Sequence, residues 1–274
     1  MSLRVIFLMP ANLKPPADDK NRIQSYQRML DVLQCFSPVA RHLTVSQVSE
    51  GSSLPRPTVH RILNALKDIG FIEQDVQGGG YRLGIGLYEL GSLALSNMDL
   101  HREATPFVES LARNASAAVN LGVFNGESVV LIERERFDES RQALSARVEI
   151  APIHCTGIGK AVGAFLPKDV VKNIAQRGLR SYTSHTLSTL SALEREYVKV
   201  RKLGYAFDEE ELQLFVRCVA APIRNASGKV FAAISVSGPL DRMTKERQQE
   251  LASVVVDTAG AISRHLGYVE NTKS

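Results

Sequence analysis

Between Leu54 and Lys67 the apolar residues Val59, Ile62, Leu63 and Leu66 recur at intervals of three, one and three. An α-helix gathers such positions onto a single stripe, which needs a core to cover it. Pro57, His60, Arg61, Asn64 and Asp68 fall on the opposite side. The same segment holds Arg56, Arg61 and Lys67 with no Asp or Glu, so it carries +3 in a chain whose formal net charge is +4. Upstream, Thr44 can cap a preceding helix, with Gln47 completing a capping box. Glu50-Gly51-Ser52-Ser53 breaks that helix, and Pro57 suits the first turn of the next, where a missing N–H costs little. Downstream, Gly70 ends the basic helix and Phe71-Ile72-Glu73 begins a strand. Gln77 to Gly80 forms a flexible turn, and Tyr81-Arg82-Leu83 returns with alternating polarity. The three consecutive glycines could mark a nucleotide loop, but no helix able to seat a phosphate follows directly, so a wing tip is the better assignment. Leu43 to Arg82 thus reads as a helix-turn-helix followed by a β-hairpin wing, with Arg56, Arg61, Lys67 and Arg82 as its basic residues.

The stretches Leu43 to Val48, Leu54 to Leu63, Leu66, Gly70-Phe71-Ile72 and Tyr81-Arg82-Leu83-Gly84 resemble the DNA-binding domain of the IclR family of bacterial transcription regulators. A second match lies downstream. Pro152 to Ala161, Gly204 to Glu211, Arg217 to Ile223 and Ala232 to Pro239 are similar, in order and separation, to the effector-binding domain of the same regulators. The resemblance covers roughly Ile23 to Gly267. It implies an α+β protein, with an N-terminal winged helix-turn-helix joined by a linker helix to a GAF-like α/β effector-binding domain. Two departures stand out: Ser53 and Phe215 replace glycines common in the family.

The chain of 274 residues favours two domains over one. We expect a disordered leader over 1–20, the winged unit over 21–84, a linker helix over 85–99 and the effector domain over 100–270. A first helix from Arg22 to Phe36, ended by Pro38, scaffolds the winged unit. Leu87, Leu90, Leu93 and Ala94 suggest the linker helix, and a long helix follows over about Arg102 to Ala118. Val119–Phe124 and Ser128–Glu133 form a hairpin across Asn125-Gly126, a type I′ signal. Ser145–Ile150 is strand-like. His154 to Gly157 opens a helix, Pro167-Lys168 another, and Arg217–Ile223 pairs with Val230–Ser237. Thr244 caps a final helix ending near Gly267. Hairpins mixed with helices favour an α+β domain over a doubly wound nucleotide fold.

On the DNA side, the expected contacts are Thr44, Ser46, Arg56, Thr58, His60, Arg61, Asn64 and Arg82. Thr58 and Arg61 suit phosphates; Arg56, His60 and Asn64 suit base edges; the wing with Arg82 suits the backbone. Because one helix spans few base pairs, the expected assembly is a homodimer or homotetramer on a palindromic double-stranded operator.

The resemblance places effector contacts on Gly157, Ile158, Asp208, Cys218, Ser235 and Ser237. Gly157-Ile158-Gly159 would expose backbone N–H groups to an anion at a helix start. Ser235 and Ser237 share a strand face, with Cys218 facing them from the next strand. A small organic, sugar or aromatic acid is the expected effector. Lys160 is expected solvated or paired with a carboxylate, His154 either structural or in the pocket, and Glu209 and Glu211 solvated. Gly159-Lys160 is no Walker loop, which would need glycine at His154 and Ser or Thr at Ala161.

The mildly basic pI near 9.0 permits nucleic acid without requiring it. Cys35, Cys155 and Cys218 form no C-x-x-C pair, which points away from a disulfide framework or zinc site and fits a reducing cytoplasm. The apolar run Leu3–Met9 is too short to span a membrane. No metal or cofactor is expected. Two other readings are a cysteine-dependent hydrolase-like enzyme using Cys218, His154 and Asp208, and a winged helix that binds protein rather than phosphates.

Overall fold

A computed structural model of the chain describes residues 20–37, 39–75, 79–135 and 150–269. The expected leader, Pro38, Gln77, Gly78 and most of the strand-like 145–150 lie outside them. The chain divides into two compact units, 1–97 and 98–274. No helix among the described residues is long and apolar enough to cross a membrane.

The first unit contains α1 (Lys20–Leu33), α2 (Val45–Ser52), α3 (Arg56–Asp68), β1 (Ile72–Gln74), β2 (Tyr81–Leu83) and α4 (Ile85–Ser96). The first helix ends three residues before Phe36, which turns back into the core on a pair of short backbone bonds. The capping box forms as expected, with Thr44 accepting from the Gln47 amide and Gln47 accepting from the Thr44 amide. Val59, Ile62, Leu63 and Leu66 are buried with Val48, Ile72 and Tyr81, and each such side chain contributes on the order of 1.5–3 kcal/mol. Leu43 bridges Tyr81 and extends the wing sheet by one residue. Gly84 closes the unit: a Cβ there would lie 2.3 Å from the Gly70 carbonyl oxygen, so only glycine lets α4 start against that turn. No residue of α4 is buried, and Ile85, Tyr88, Leu90 and Leu93 are exposed.

The second unit begins with α5 (Asp99–Ala115), three residues earlier than expected at both ends. The strands β3 (Ala118–Phe124), β4 (Ser128–Glu135), β5 (Ile150–Pro152), β6 (Ala206–Glu209), β7 (Val216–Arg224) and β8 (Val230–Pro239) form one antiparallel sheet in the order β5-β4-β3-β8-β7-β6. The helices α6 (Gly157–Gly163), α7 (Lys168–Gln176), α8 (Leu190–Leu203) and α9 (Lys245–His265) complete it. Period-two alternation divides the sheet. Val119, Leu121, Val219, Ala221, Ile234 and Val236 pack against α5 and α9. Ala206, Ala220 and Ala233 face the other way, against Ile158, Ala161 and Val162 of α6 and Leu193, Tyr197 and Val200 of α8. The hairpin at Asn125-Gly126 is present, but its turn is not type I′. Only Gly126 has positive φ, because the Asn125 side chain accepts from the Glu127 and Ser128 amides and shapes the loop itself.

Candidate functional site

On α3 the expected DNA-facing side chains separate cleanly from the core. Arg56, His60 and Arg61 are exposed and Thr58 and Asn64 half-buried, while the apolar stripe lies beneath. Thr44 and Ser46 are exposed at the start of α2. Asn64 Nδ2 lies 3.2 Å from His60 Nδ1. Imidazole and carboxamide each carry donor and acceptor capacity, the kind of group that reads base edges in the major groove. Lys67 is turned toward the wing, donating to Gln74 at 3.2 Å. Arg82 is likewise engaged: it pairs with Glu73 across the β1–β2 register at 2.7 Å. That pairing holds the Glu73 carboxyl below its usual range and leaves the wing less positive than the sequence suggested.

In the second unit the expected effector residues fall on the α6-facing side of the sheet. Asp208, Cys218 and Ser237 form one cross-strand row over β6, β7 and β8. In the adjacent row, Ala206, Ala220, Ser235, Asn120 and Arg134 run from β6 to β4. Neighbouring strands lie about 4.8 Å apart, so the two serines, the thiol and the carboxyl share one small area. Gly157 sits over it: a Cβ there would come within 2.5 Å of Cys218 Sγ and 3.5 Å of Ala220 Cβ. Ile158 is buried in the same cluster.

The helix start is less open than its sequence implies. The Gly159 amide donates to the Thr156 hydroxyl at 2.9 Å. One of the three amides expected to face an anion is thus occupied within the protein.

Charge is concentrated behind the row. Lys160 is only 1% exposed and pairs with Glu211, and with Glu196 at 3.5 Å. Burial opposes its charge, but the surrounding carboxylates outweigh burial and hold the ammonium protonated. Glu211, expected to be solvated, is buried; it reaches inward to meet Lys160, while Thr183 and Thr186 fix its backbone. Glu209 sits at the rim, paired with Arg217 at 3.2 Å. Burial, reinforced by Glu211, raises Asp208 to about 7, although the Glu211 amide donates to its Oδ1 at 2.8 Å.

The geometry lends the hydrolase reading no support. Burial and the neighbouring Asp208 carboxyl push the Cys218 thiol far up, and Cys155 behaves similarly, so neither supplies a thiolate. His154 is committed elsewhere, its Nε2 lying 2.9 Å from the Arg180 carbonyl oxygen, with burial lowering its pKa.

Three residues went unrecognised in sequence. Asn120 donates to Ser235 Oγ and Ser237 Oγ, and Arg134 donates to Asn120 Oδ1. Gln248, reaching from α9, donates to the Cys218 and Asp208 carbonyls and ties β6 and β7 together from the far face. Only the alternation of Asn120 between Val119 and Leu121 could have flagged one of them, as a polar residue facing away from the apolar side.

Fold and site together define a winged-helix unit followed by a sheet-backed α+β unit. Residues 25–76 match the IclR helix-turn-helix domain and residues 92–264 match the C-terminal domain of bacterial IclR transcriptional regulators. The chain belongs to the IclR family. It is 32% identical over 259 residues to the HTH-type transcriptional repressor AllR of Salmonella typhi, covering 94% of each chain. It is 32% identical to the regulator BhcR of Paracoccus denitrificans, over 90% of this chain and 88% of that one. Among solved structures, an IclR regulator of Alicyclobacillus acidocaldarius shares the fold with TM-score 0.77 at 21% identity, covering 89% of this chain and 99% of that one. An IclR homologue of Microbacterium hydrocarbonoxydans complexed with 4-hydroxybenzoate aligns with TM-score 0.74 at 25% identity, covering 88% and 98%.

Proposed function

We propose that the chain is a cytoplasmic, sequence-specific DNA-binding regulator whose operator affinity is set by a small organic, sugar or aromatic acid held in the second unit. The observation that carries the DNA-binding half is the division of α3: an apolar stripe buried to the last side chain, and Arg56, His60 and Arg61 left exposed in a segment, Leu54 to Lys67, that holds no Asp or Glu. Arg56, His60 and Asn64 read base edges, while Thr58 and Arg61 position the helix on phosphates. Thr44 and Ser46 stand at the start of α2 toward the backbone. Arg82 contributes through the wing while held by Glu73.

The effector half rests on the row of Asp208, Cys218 and Ser237 beside Ser235, under Gly157 and Ile158. A homologue that holds an aromatic hydroxy acid supports an acid as ligand. The exposed apolar side of α4 supports a homodimer, which matches a palindromic operator by its own two-fold symmetry. The test of the pocket is a thermal-shift screen of small acids, since a ligand selective for the native state raises its melting temperature. Ser235→Ala with Ser237→Ala removes the response; an intact response in that variant overturns the pocket.

A further inference from the structure

Taking that pocket as its starting point, we propose that Arg134 and Asn120 form a relay that fixes the direction of the hydrogen bonds at Ser235 and Ser237. The relay makes both hydroxyls donors toward the ligand, so this end of the site selects a carboxylate over its neutral amide.

The argument begins with donors and acceptors. Arg134 Nε lies 2.7 Å from the Asn120 side-chain oxygen. A guanidinium has no acceptor, so the amide end facing it must be the oxygen, and the amide of Asn120 has one orientation only. That orientation sends the Asn120 NH2 toward β8, where Nδ2 lies 3.3 Å from Ser235 Oγ and 3.2 Å from Ser237 Oγ. An NH2 group only donates. Each serine oxygen therefore turns a lone pair to Asn120 and keeps its O–H for another partner.

Among the described residues neither hydroxyl donates to a protein acceptor. Asn120 and Ser235 are 6% and 2% exposed and Ser237 is half-buried, so water cannot readily reverse the arrangement at Ser235, and a mismatched ligand would leave a buried polar atom there unpaired. Two converging O–H donors fit a group that only accepts. A carboxylate meets that condition; a primary amide presents its NH2 to one of two donors. Arg134 and Asn120 are positioning residues here, acting on the ligand through the serines.

The test compares acid and amide pairs by calorimetry: 4-hydroxybenzoate with 4-hydroxybenzamide, pyruvate with pyruvamide, and lactate with lactamide. The wild-type protein is expected to bind at least one acid ten-fold or more tightly than its amide. Asn120→Asp replaces the NH2 with an acceptor, turns both serine O–H groups onto the new carboxylate and leaves lone pairs facing the ligand. It should lose the acid at least ten-fold and gain affinity for the amide.

Arg134→Glu makes the same prediction by a different route, since it draws the Asn120 NH2 away from the serines and flips the amide; it serves should Asn120→Asp not fold. A gain for a neutral amide is something that neither unfolding nor lost charge can produce. If both variants keep the acid preference while Ser235→Ala with Ser237→Ala abolishes binding, the pocket stands and the relay is wrong. If the serine variant binds as wild type does, the pocket reading itself fails, and the relay with it. A wild type that binds none of the acids, or binds the amides equally well, overturns the relay outright.

Discussion

Ser53 and Phe215 both hold left-handed backbone, with φ of 58° and 65°, and both stand where the family resemblance leads one to expect glycine. Glycine adopts that conformation at the least cost. Phe215 is 65% exposed, so little packing offsets its strain. Phe215→Gly and Ser53→Gly should each raise stability by about 0.5–1 kcal/mol, read as an increased urea midpoint; a lowered midpoint would show that these side chains stabilise the fold through their packing. Gly159 is the opposite case. A Cβ there would lie 2.1 Å from the Pro152 carbonyl oxygen, and Gly159→Ala should cost about 2 kcal/mol or more by the same measurement. Asp208 sets a pH dependence. Burial raises it to about 7, so below that pH the carboxyl is neutral and tolerates a bound acid, and above it the ionised group repels one. Acid affinity should fall as pH rises through 7, by at most about ten-fold per unit for one coupled proton, and Asp208→Asn should flatten the profile. The neighbouring Lys160 stays charged and the two cysteine thiols stay neutral through that range. For folding the sign is the same: this group's contribution is full below the ordinary carboxylate range and gone once the pH has passed about 7. Asp208, Cys218, Ser235 and Ser237 were named through the family resemblance. Asn120 stood out locally only as a polar residue between Val119 and Leu121, because its partner is 115 residues away.

The elements most legible in sequence were those that carry their own punctuation. The capping box at Thr44, the cap at Thr244 and the stripe of α3 all rest on neighbours within a few residues, and all form. Thr44→Ala should cost about 1 kcal/mol of first-unit stability, measured by denaturant unfolding, with the Gln47 amide left without its acceptor. Elements shaped by less local forces were harder to read. The helix α8 hides Leu193, Tyr197 and Val200 in a run of charges, and they show as a buried stripe only when α6 lies against them. The turn at Asn125-Gly126 carries a type I′ signature, yet the Asn125 carboxamide captures two backbone amides and a single glycine supplies the positive φ. The helix α4 is apolar along its exposed side, and we propose that this side carries the homodimer contact. Leu90→Glu with Leu93→Glu should shift the protein toward monomer in light scattering and weaken operator binding along with it. An unchanged mass would remove α4 from the interface.

At the scale of the whole molecule, two units divide the work: the first presents a basic helix on a small apolar core, and the second stores a buried polar row inside a six-stranded sheet. The division was visible in sequence as two separate blocks of family-like motifs. The order of the sheet was not, because β3 pairs with β8 across more than a hundred residues, and loop closure over that span leaves no local trace. The most direct measurement is salt-dependent binding of the protein to DNA from upstream of its own gene, by fluorescence anisotropy. The wild type should bind with a steep negative slope of log affinity against log salt. Arg56→Ala with Arg61→Ala should weaken binding, with the slope shallower by about one for each phosphate that is no longer neutralised. Binding of equal strength and equal slope in the double variant would contradict the account.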